Sequence, residues 1–160
     1  MSNTGIDRTD RQILIELQRD GRLSNQELAE RVALSPSPCL RRVRRLEQQG
    51  YIQRYTAVID AQKAGIGLLA YVMIRLNKMY RSSKGSLSDF AQDVQQWPEV
   101  VECHAMSGDM DYMLRIQVAD LAAFSRFAMD TLMQHPAVID MRSSFSLKKV
   151  KQSKGLPLVG

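Results

Sequence analysis

Residues 35–50 read SPSPCLRRVRRLEQQG, and this stretch predicts a single, strongly basic helix. Ser35 is a suitable N-cap, Pro36 stands at the first helical position, and Gly50 suits the residue that ends a helix. Between residues 35 and 54 the chain has five arginines and one acid, a local charge of +4 in a chain of net charge +5. Such clustered charge indicates a polyanionic partner, and a solvated helix face is the alternative.

The helix is predicted to have one apolar face and one basic face. At about 100° per residue, Leu40, Val43 and Leu46 share the apolar face and are expected in the core. The opposite face carries Ser37, Arg41, Arg45 and Gln48, flanked by Arg42 and Arg44. Arginines placed in this way can pair with guanine edges in the major groove of double-stranded DNA or contact its phosphates.

Two helical patterns precede this helix and a β-rich stretch follows it. Residues 6–19 repeat apolar side chains at helical spacing behind Asp7, and residues 23–32 begin with a capping box of Ser24 and Glu27. A turn at Ala33 leads into the basic helix, and YIQRYTAVI (51–59) predicts a short hairpin, or wing. This order predicts a winged helix-turn-helix domain over residues 1–59 that binds DNA. A helical bundle with a basic surface is the alternative.

The remainder of the chain, after a linker at 60–66, contains an internal repeat. FAQDVQQWPEVVEC (90–103) and FAMDTLMQHPAVIDM (127–141) each end a helix, pass a proline and start a strand. Strands are predicted over 67–76, 100–106, 112–118 and 138–150, and helices over 86–96 and 120–134. The result is an α+β chain with a ferredoxin-like βαββαβ domain over 67–160, including a basic C-terminal tail. Two strands are apolar in both alternations, which predicts a homodimer through the uncovered sheet face.

The sequence SGDMDY (107–112) joins two of these strands and has two interpretations. Gly108 and Asp109 suit a plain hairpin turn with a polar tip. Alternatively, Asp109 and Asp111 supply an anion for the ammonium group of a free amino acid, and the backbone amides of the turn bind its carboxylate. The methionines around the turn either form an adaptable apolar wall or belong to the core.

The sequence contains no recognisable catalytic, metal-binding or cofactor-binding motif. His104 has no nucleophile or acid spaced around it, so no enzyme is predicted. Cys39 and Cys103 fall in different predicted domains without metal-ligand spacing, which fits reduced thiols; a redox sensor is the alternative. No apolar run is long enough to cross a membrane and residues 1–12 are polar, so a cytoplasmic protein is expected.

The chain resembles the Lrp/AsnC family of transcriptional regulators, also called leucine-responsive or feast/famine regulators, from Ile6 to about Leu158. The resemblance is carried by IDRTDRQILIELQRDGRLSNQELAERV (6–32), LSPSPCLRRVRRLEQQGYIQRYTAVID (34–60), ECHAMSGDMDYMLR (102–115) and SSFSLKKVKQS (143–153). The second stretch is close to a family signature, and the third is the characteristic hairpin of the family's effector-binding domain.

The resemblance implies a regulator that binds operator DNA as dimers, commonly assembled into octamers, and responds to an amino acid bound near the hairpin between dimers. Leucine or methionine is the expected effector, and the expected location is the cytoplasmic nucleoid. The implied DNA-contacting residues are Asn25, Ser37, Arg41, Arg42, Arg44, Arg45, Gln48 and Arg54. The implied effector-binding residues are His104, Met106, Gly108, Asp109, Asp111 and Tyr112, and which aspartate holds the ammonium stays open.

Two other functions compete with this interpretation. An architectural protein that wraps DNA without an effector has a DNA affinity that is indifferent to amino acids. A small-molecule enzyme on the second domain needs an acid–base pair or a nucleophile in a pocket. The segment KMYRSSKGS (78–86), longer and more basic than in many relatives, is either a plain loop or a further contact to DNA or to another subunit.

Overall fold

The computed structural model describes residues 5–77, 87–153 and 155–158, with the backbone alone for 87–89. The chain forms two compact units, Met1–Val58 with Val150–Gly160, and Ile59–Lys149. The first unit therefore ends where the sequence predicts the linker. The tail from Val150 onward belongs to the first unit, whereas the sequence analysis assigns it to the second domain.

The first unit contains three helices, α1 Arg8–Arg19, α2 Asn25–Arg31 and α3 Pro36–Gln48. Both predicted N-caps are present as complete capping boxes, Asp7 with Asp10 at α1 and Ser24 with Glu27 at α2. The buried apolar residues shared by the three helices are Ile13, Leu14, Leu28, Ala29, Cys39 and Leu46.

The buried face of α3 differs from the predicted one by about one residue. Cys39 and Leu46 are fully buried, whereas Leu40 is 37% exposed, so the expectation that Leu40 lies in the core is wrong. The reason is that α3 packs against α1 and α2 through the line from Cys39 through Val43 to Leu46. A helical wheel cannot choose between adjacent apolar residues, because the neighbouring helices fix the rotation.

The segment 51–59 is not the hairpin that the sequence predicts. Gly50 ends α3 in the left-handed conformation, with φ at 74°, and none of residues 51–59 pairs with another strand in the described part of the chain. Val58 and Ile59 are largely exposed. A β-branched stretch becomes a strand only when a partner accepts its backbone hydrogen bonds, and no such partner lies within this unit's described residues.

The second unit is a four-stranded sheet with helices. Its elements are β1 Leu68–Leu76, α4 Leu87–Val94, β2 Val100–Ala105, β3 Tyr112–Val118, α5 Leu121–Phe127, a π-helical turn Ala128–Leu132, and β4 Val138–Phe145. All strand pairs are antiparallel in the order β2-β3-β1-β4, which confirms the predicted βαββαβ topology. Strand β4 ends at Phe145, short of the predicted residue 150, and the predicted start of α4 at Ser86 lies outside the described residues.

The two faces of the sheet differ in composition. Ala70, Val72 and Ile74 of β1 lie on the face covered by the helices and are fully buried. The opposite face carries Tyr71 and Met73, which are only partly covered, together with charged side chains. The uncovered face is therefore mixed, and less apolar than the sequence alone suggests.

Candidate functional site

The outer face of α3 consists of four exposed polar residues. They are Ser37, Arg41, Arg44 and Gln48. Within the described part of the chain, neither Arg41 nor Arg44 has an ion pair or a hydrogen bond through its side chain. Because the opposite face of the helix is buried through Cys39 and Leu46, these two guanidinium groups point away from the unit and are available to an outside partner.

The other two arginines of α3 are bound to the start of α1. Arg42 donates to Asp7 Oδ2 at 2.6 Å and to Asp10 Oδ1 at 2.8 Å, and Arg45 pairs with Asp10 Oδ2. The hydrogen bond from Arg42 lowers the pKa of Asp7, and the hydrogen bonds to Asp7 and Asp10 raise the pKa of Arg42. The wheel places Arg45 on the outer face and Arg44 at its edge; the structure reverses them, for the same reason that Leu40 is exposed.

Asn25 and Arg54, the two predicted phosphate contacts outside α3, have different environments. The Asn25 amide donates to the Pro36 carbonyl oxygen at 2.8 Å and joins the start of α2 to the start of α3. Arg54 is exposed in the extended segment after α3. A residue that the sequence analysis missed, Tyr55, donates its hydroxyl to Glu47 of α3 at 2.9 Å; burial and this hydrogen bond raise the pKa of Tyr55 to about 12.

The turn between β2 and β3 is tied to β1 through Asp111. The carboxylate of Asp111 accepts from the Leu76 N–H at 2.7 Å, and its own N–H donates to the Ile74 carbonyl at 2.8 Å. Its carbonyl accepts from the Met106 N–H at 2.8 Å. Gly108, at the tip, has φ at 130°, which L side chains rarely adopt. Asp111 therefore has a structural partner, and the charge left at the tip is that of Asp109.

Asp109 lies beside an arginine that the sequence analysis did not select. Its side chain is 75% exposed, and Arg142 Nη1 lies 3.7 Å from its Oδ2. Arg142 is brought there by strand pairing, because Met73 of β1 is opposite both Arg142 of β4 and Met113 of β3. The 33 positions between the two charged residues in sequence give no signal of this proximity.

The ion pairs continue along the uncovered face of the sheet. Arg142 lies 3.8 Å from Asp140, and Asp140 accepts from Arg75 at 2.9 Å. Opposite charges thus alternate from β1 through β4 to the turn. An amino acid placed at the turn would meet both a carboxylate and a guanidinium group, the two charges that its ammonium and carboxylate need.

The other predicted effector contacts divide into exposed and buried ones. His104 and Met106 are exposed, with His104 Nε2 3.6 Å from Glu102. Tyr112 is 7% exposed and its ring packs 5.0 Å from that of Phe90, so its ring belongs to the core. The expectation that Tyr112 faces an effector is therefore not met within this chain, because even-numbered residues of β3 point towards the helices.

The described residues contain no group of three or more side chains suited to a metal ion, and none of the helices in those ranges is long and apolar enough for a membrane span. Burial raises the pKa of both cysteine thiols, Cys39 and Cys103, which disfavours the reactive thiolate. The redox alternative thus lacks the thiol environment that it needs.

Comparison with known proteins agrees with both halves of this description. A model of the Lrp/AsnC ligand binding domain matches residues 69–156, and a winged helix-turn-helix DNA-binding model matches residues 6–53. Leucine-responsive regulatory proteins of Escherichia coli K12 and Klebsiella pneumoniae are each 47% identical over 151 residues, 94% of this chain and 90% of each relative.

Solved structures show the same similarity in three dimensions. A transcriptional regulator from Neisseria meningitidis in complex with L-Met superposes with a TM-score of 0.90 and 45% identity, covering 96% of this chain and 97% of that one. An AsnC family regulator from Agrobacterium tumefaciens gives a TM-score of 0.87 and 38% identity, covering 96% and 97%. Sequence and structure thus agree over both units, and the chain belongs to the Lrp/AsnC family of transcriptional regulators.

Proposed function

We propose that this protein regulates transcription by binding operator DNA through α3 and that a small amino acid alters that binding. The observation that carries the DNA part is the split of the α3 arginines, in which Arg41 and Arg44 face outward without an intramolecular partner in the described residues. Ser37 and Gln48 stand beside them and can hydrogen-bond to phosphates or base edges. Arg54 extends this basic surface as a candidate phosphate contact.

The effector part rests on the charges at the turn. Asp109 is the candidate for the ammonium group, because the Asp111 carboxylate is already occupied by the Leu76 N–H. Arg142 is the candidate for the carboxylate, and the backbone around Gly108 offers further N–H donors. His104 and Met106 line the exposed side of the same region. The Neisseria relative solved with L-Met favours methionine as the first effector to test, with leucine second.

Assembly and location complete the proposal. The partly apolar uncovered sheet face, with Tyr71 and Met73, supports a homodimer, and the family supports further assembly into an octamer. The proposed location is the cytoplasm, on the nucleoid. Segment 78–86 lies outside the described residues, so its role as a further DNA or subunit contact rests on its sequence alone.

The test of DNA binding is fluorescence anisotropy with a labelled duplex from upstream of the protein's own gene, at a series of salt concentrations. Arg41→Ala with Arg44→Ala is expected to abolish specific binding and to reduce the slope of log K against log salt by about 1.8, since each phosphate contact contributes about 0.9. The control, Arg8→Ala with Arg22→Ala, removes two exposed arginines outside α3. Equal loss in the control would place the DNA surface elsewhere.

The test of the effector site is calorimetric titration with L-methionine and L-leucine, repeated as anisotropy in their presence. Asp109→Asn and Arg142→Gln are each expected to weaken effector binding at least tenfold while operator binding without effector is retained. Asp130→Asn and Arg126→Gln are matched controls on the exposed surface of the helical layer. DNA binding that is indifferent to all twenty amino acids would favour the architectural alternative.

A further inference from the structure

The N-terminus of α1 holds two of the four arginines of α3. Asp10 is 1% exposed and makes hydrogen bonds to both Arg42 and Arg45, and Asp7 makes a second bond to Arg42 at 2.6 Å. The same two aspartates form the capping box of α1, so their positions are fixed by the helix start. The arrangement is a compact four-residue cluster, here called the aspartate clamp: Asp7, Asp10, Arg42 and Arg45.

The clamp competes with DNA for its two arginines. A guanidinium group already paired with a carboxylate adds little net charge, so it attracts a phosphate weakly and releases few counterions on binding. Withdrawing both arginines would leave the Asp10 carboxylate buried without a partner, which is strongly unfavourable. The Arg45 side chain is nevertheless 47% exposed, so the ion pair, and not burial, is what keeps it at α1.

We propose that Asp7 and Asp10 determine DNA specificity by withholding Arg42 and Arg45 from phosphates, so that Arg41 and Arg44 alone supply the positive charge on the DNA-contacting face of α3. This inference rests on the proposed function, because it requires α3 to contact DNA. Base-edge contacts distinguish sequences, whereas phosphate contacts strengthen binding to every sequence alike. Limiting the number of free arginines therefore lowers nonspecific affinity and leaves the contacts that discriminate.

The experiment compares Asp7→Asn, Asp10→Asn and the control Glu30→Gln by anisotropy on operator and on unrelated duplex DNA across a salt series. Each variant removes one negative charge from the first unit, but Glu30 is exposed on α2 and does not contact the clamp arginines. Relative to the control, Asp10→Asn is expected to steepen the salt slope on unrelated DNA by about 0.9 for each arginine released. The ratio of operator to unrelated affinity is expected to fall by threefold or more.

A second variant identifies the arginine responsible. Adding Arg45→Gln to Asp10→Asn is expected to return the salt slope to that of the control. Because Asp10 is buried, urea unfolding followed by circular dichroism verifies that Asp10→Asn is folded. If it is not, Asp7→Asn decides, since half of the Asp7 side chain is exposed and Arg42 retains only one of its two carboxylate partners.

Slopes and specificity ratios equal to those of Glu30→Gln in every folded aspartate variant would overturn the proposal. Lower affinity for both duplexes would also overturn it, because the clamp would then hold α3 in place instead of limiting its charge. A wild-type protein without operator binding would instead overturn the proposed function, which the Arg41 and Arg44 variants test separately.

Discussion

Replacing Asp111 with alanine removes the acceptor that fixes the turn to β1. The Leu76 N–H loses its 2.7 Å bond to a carboxylate, while the two backbone bonds of residue 111 remain possible. Leu76 is buried and stands at the irregularity in the pairing of β1 with β4, so water replaces the lost acceptor poorly. A hydrogen bond to a charged group contributes about 1.5–3 kcal/mol. Because Asp111 is only half-buried, we expect a loss of about 2 kcal/mol in the free energy of unfolding.

Urea unfolding followed by tryptophan fluorescence measures this loss in the correct unit. Trp97 is the only tryptophan of the sequence and packs against Phe90 and Phe127 in the second unit. With a denaturant slope of about 2 kcal/mol per molar urea, the midpoint of Asp111→Ala is expected about 1 M below that of the wild type.

Two matched variants separate the structural role of Asp111 from ligand binding. Asp111→Asn keeps an acceptor oxygen without the charge, so about half of the loss is expected. Asp109→Ala removes an exposed carboxylate of the same turn and is expected to change stability by less than about 0.5 kcal/mol while losing the effector. An Asp111→Ala midpoint equal to that of the wild type would refute the reasoning, and so would an Asp109→Ala midpoint that falls as far.

Three further predictions concern single residues of the two units. Gly108→Ala is expected to cost about 1 kcal/mol and to weaken methionine binding, because φ at 130° strains any side chain; an unchanged Trp97 midpoint contradicts this. Leu46→Ala removes a fully buried side chain and is expected to cost about 2–5 kcal/mol by helical circular dichroism; a loss below 1 kcal/mol contradicts it. The pKa of Asp7 is held below 3.8 by Arg42, so its contribution to stability is present above pH 3.8 and is lost as pH falls through the lower folded pKa. Wild type should therefore lose more stability than Asp7→Asn on acidification below pH 3.8, and parallel curves contradict this.

Local signals in the sequence predicted the elements well. The capping boxes at Asp7 and Ser24 and the proline at the start of α3 act within a few residues, so their effect does not depend on the rest of the fold. Alternation and the internal repeat predicted the sheet topology for the same reason, since both are patterns of burial that any ferredoxin-like packing requires. The resemblance to the family, carried by these same stretches, is confirmed by the comparisons.

Pairings between distant residues could not be predicted from the sequence. Arg42 and Arg45 are assigned to DNA by helix position alone, but carboxylates 35 positions away along the chain bind both of them. Asp109 and Asp111 are equivalent in the sequence of the turn, yet only one has a backbone donor from β1. Neither distinction has a local cause, because each depends on how two elements approach one another.

The sequence by itself determined which segments are helical or extended, the position of the basic helix and the family to which the chain belongs. These properties follow from side-chain periodicity, capping and turn chemistry, which act over one or two turns of chain. Only the tertiary structure decided which arginines are free for DNA, which aspartate is free for an effector, and that Arg142 lies beside Asp109. Those outcomes depend on rotation of α3 and on strand register, which are fixed by packing across the whole unit.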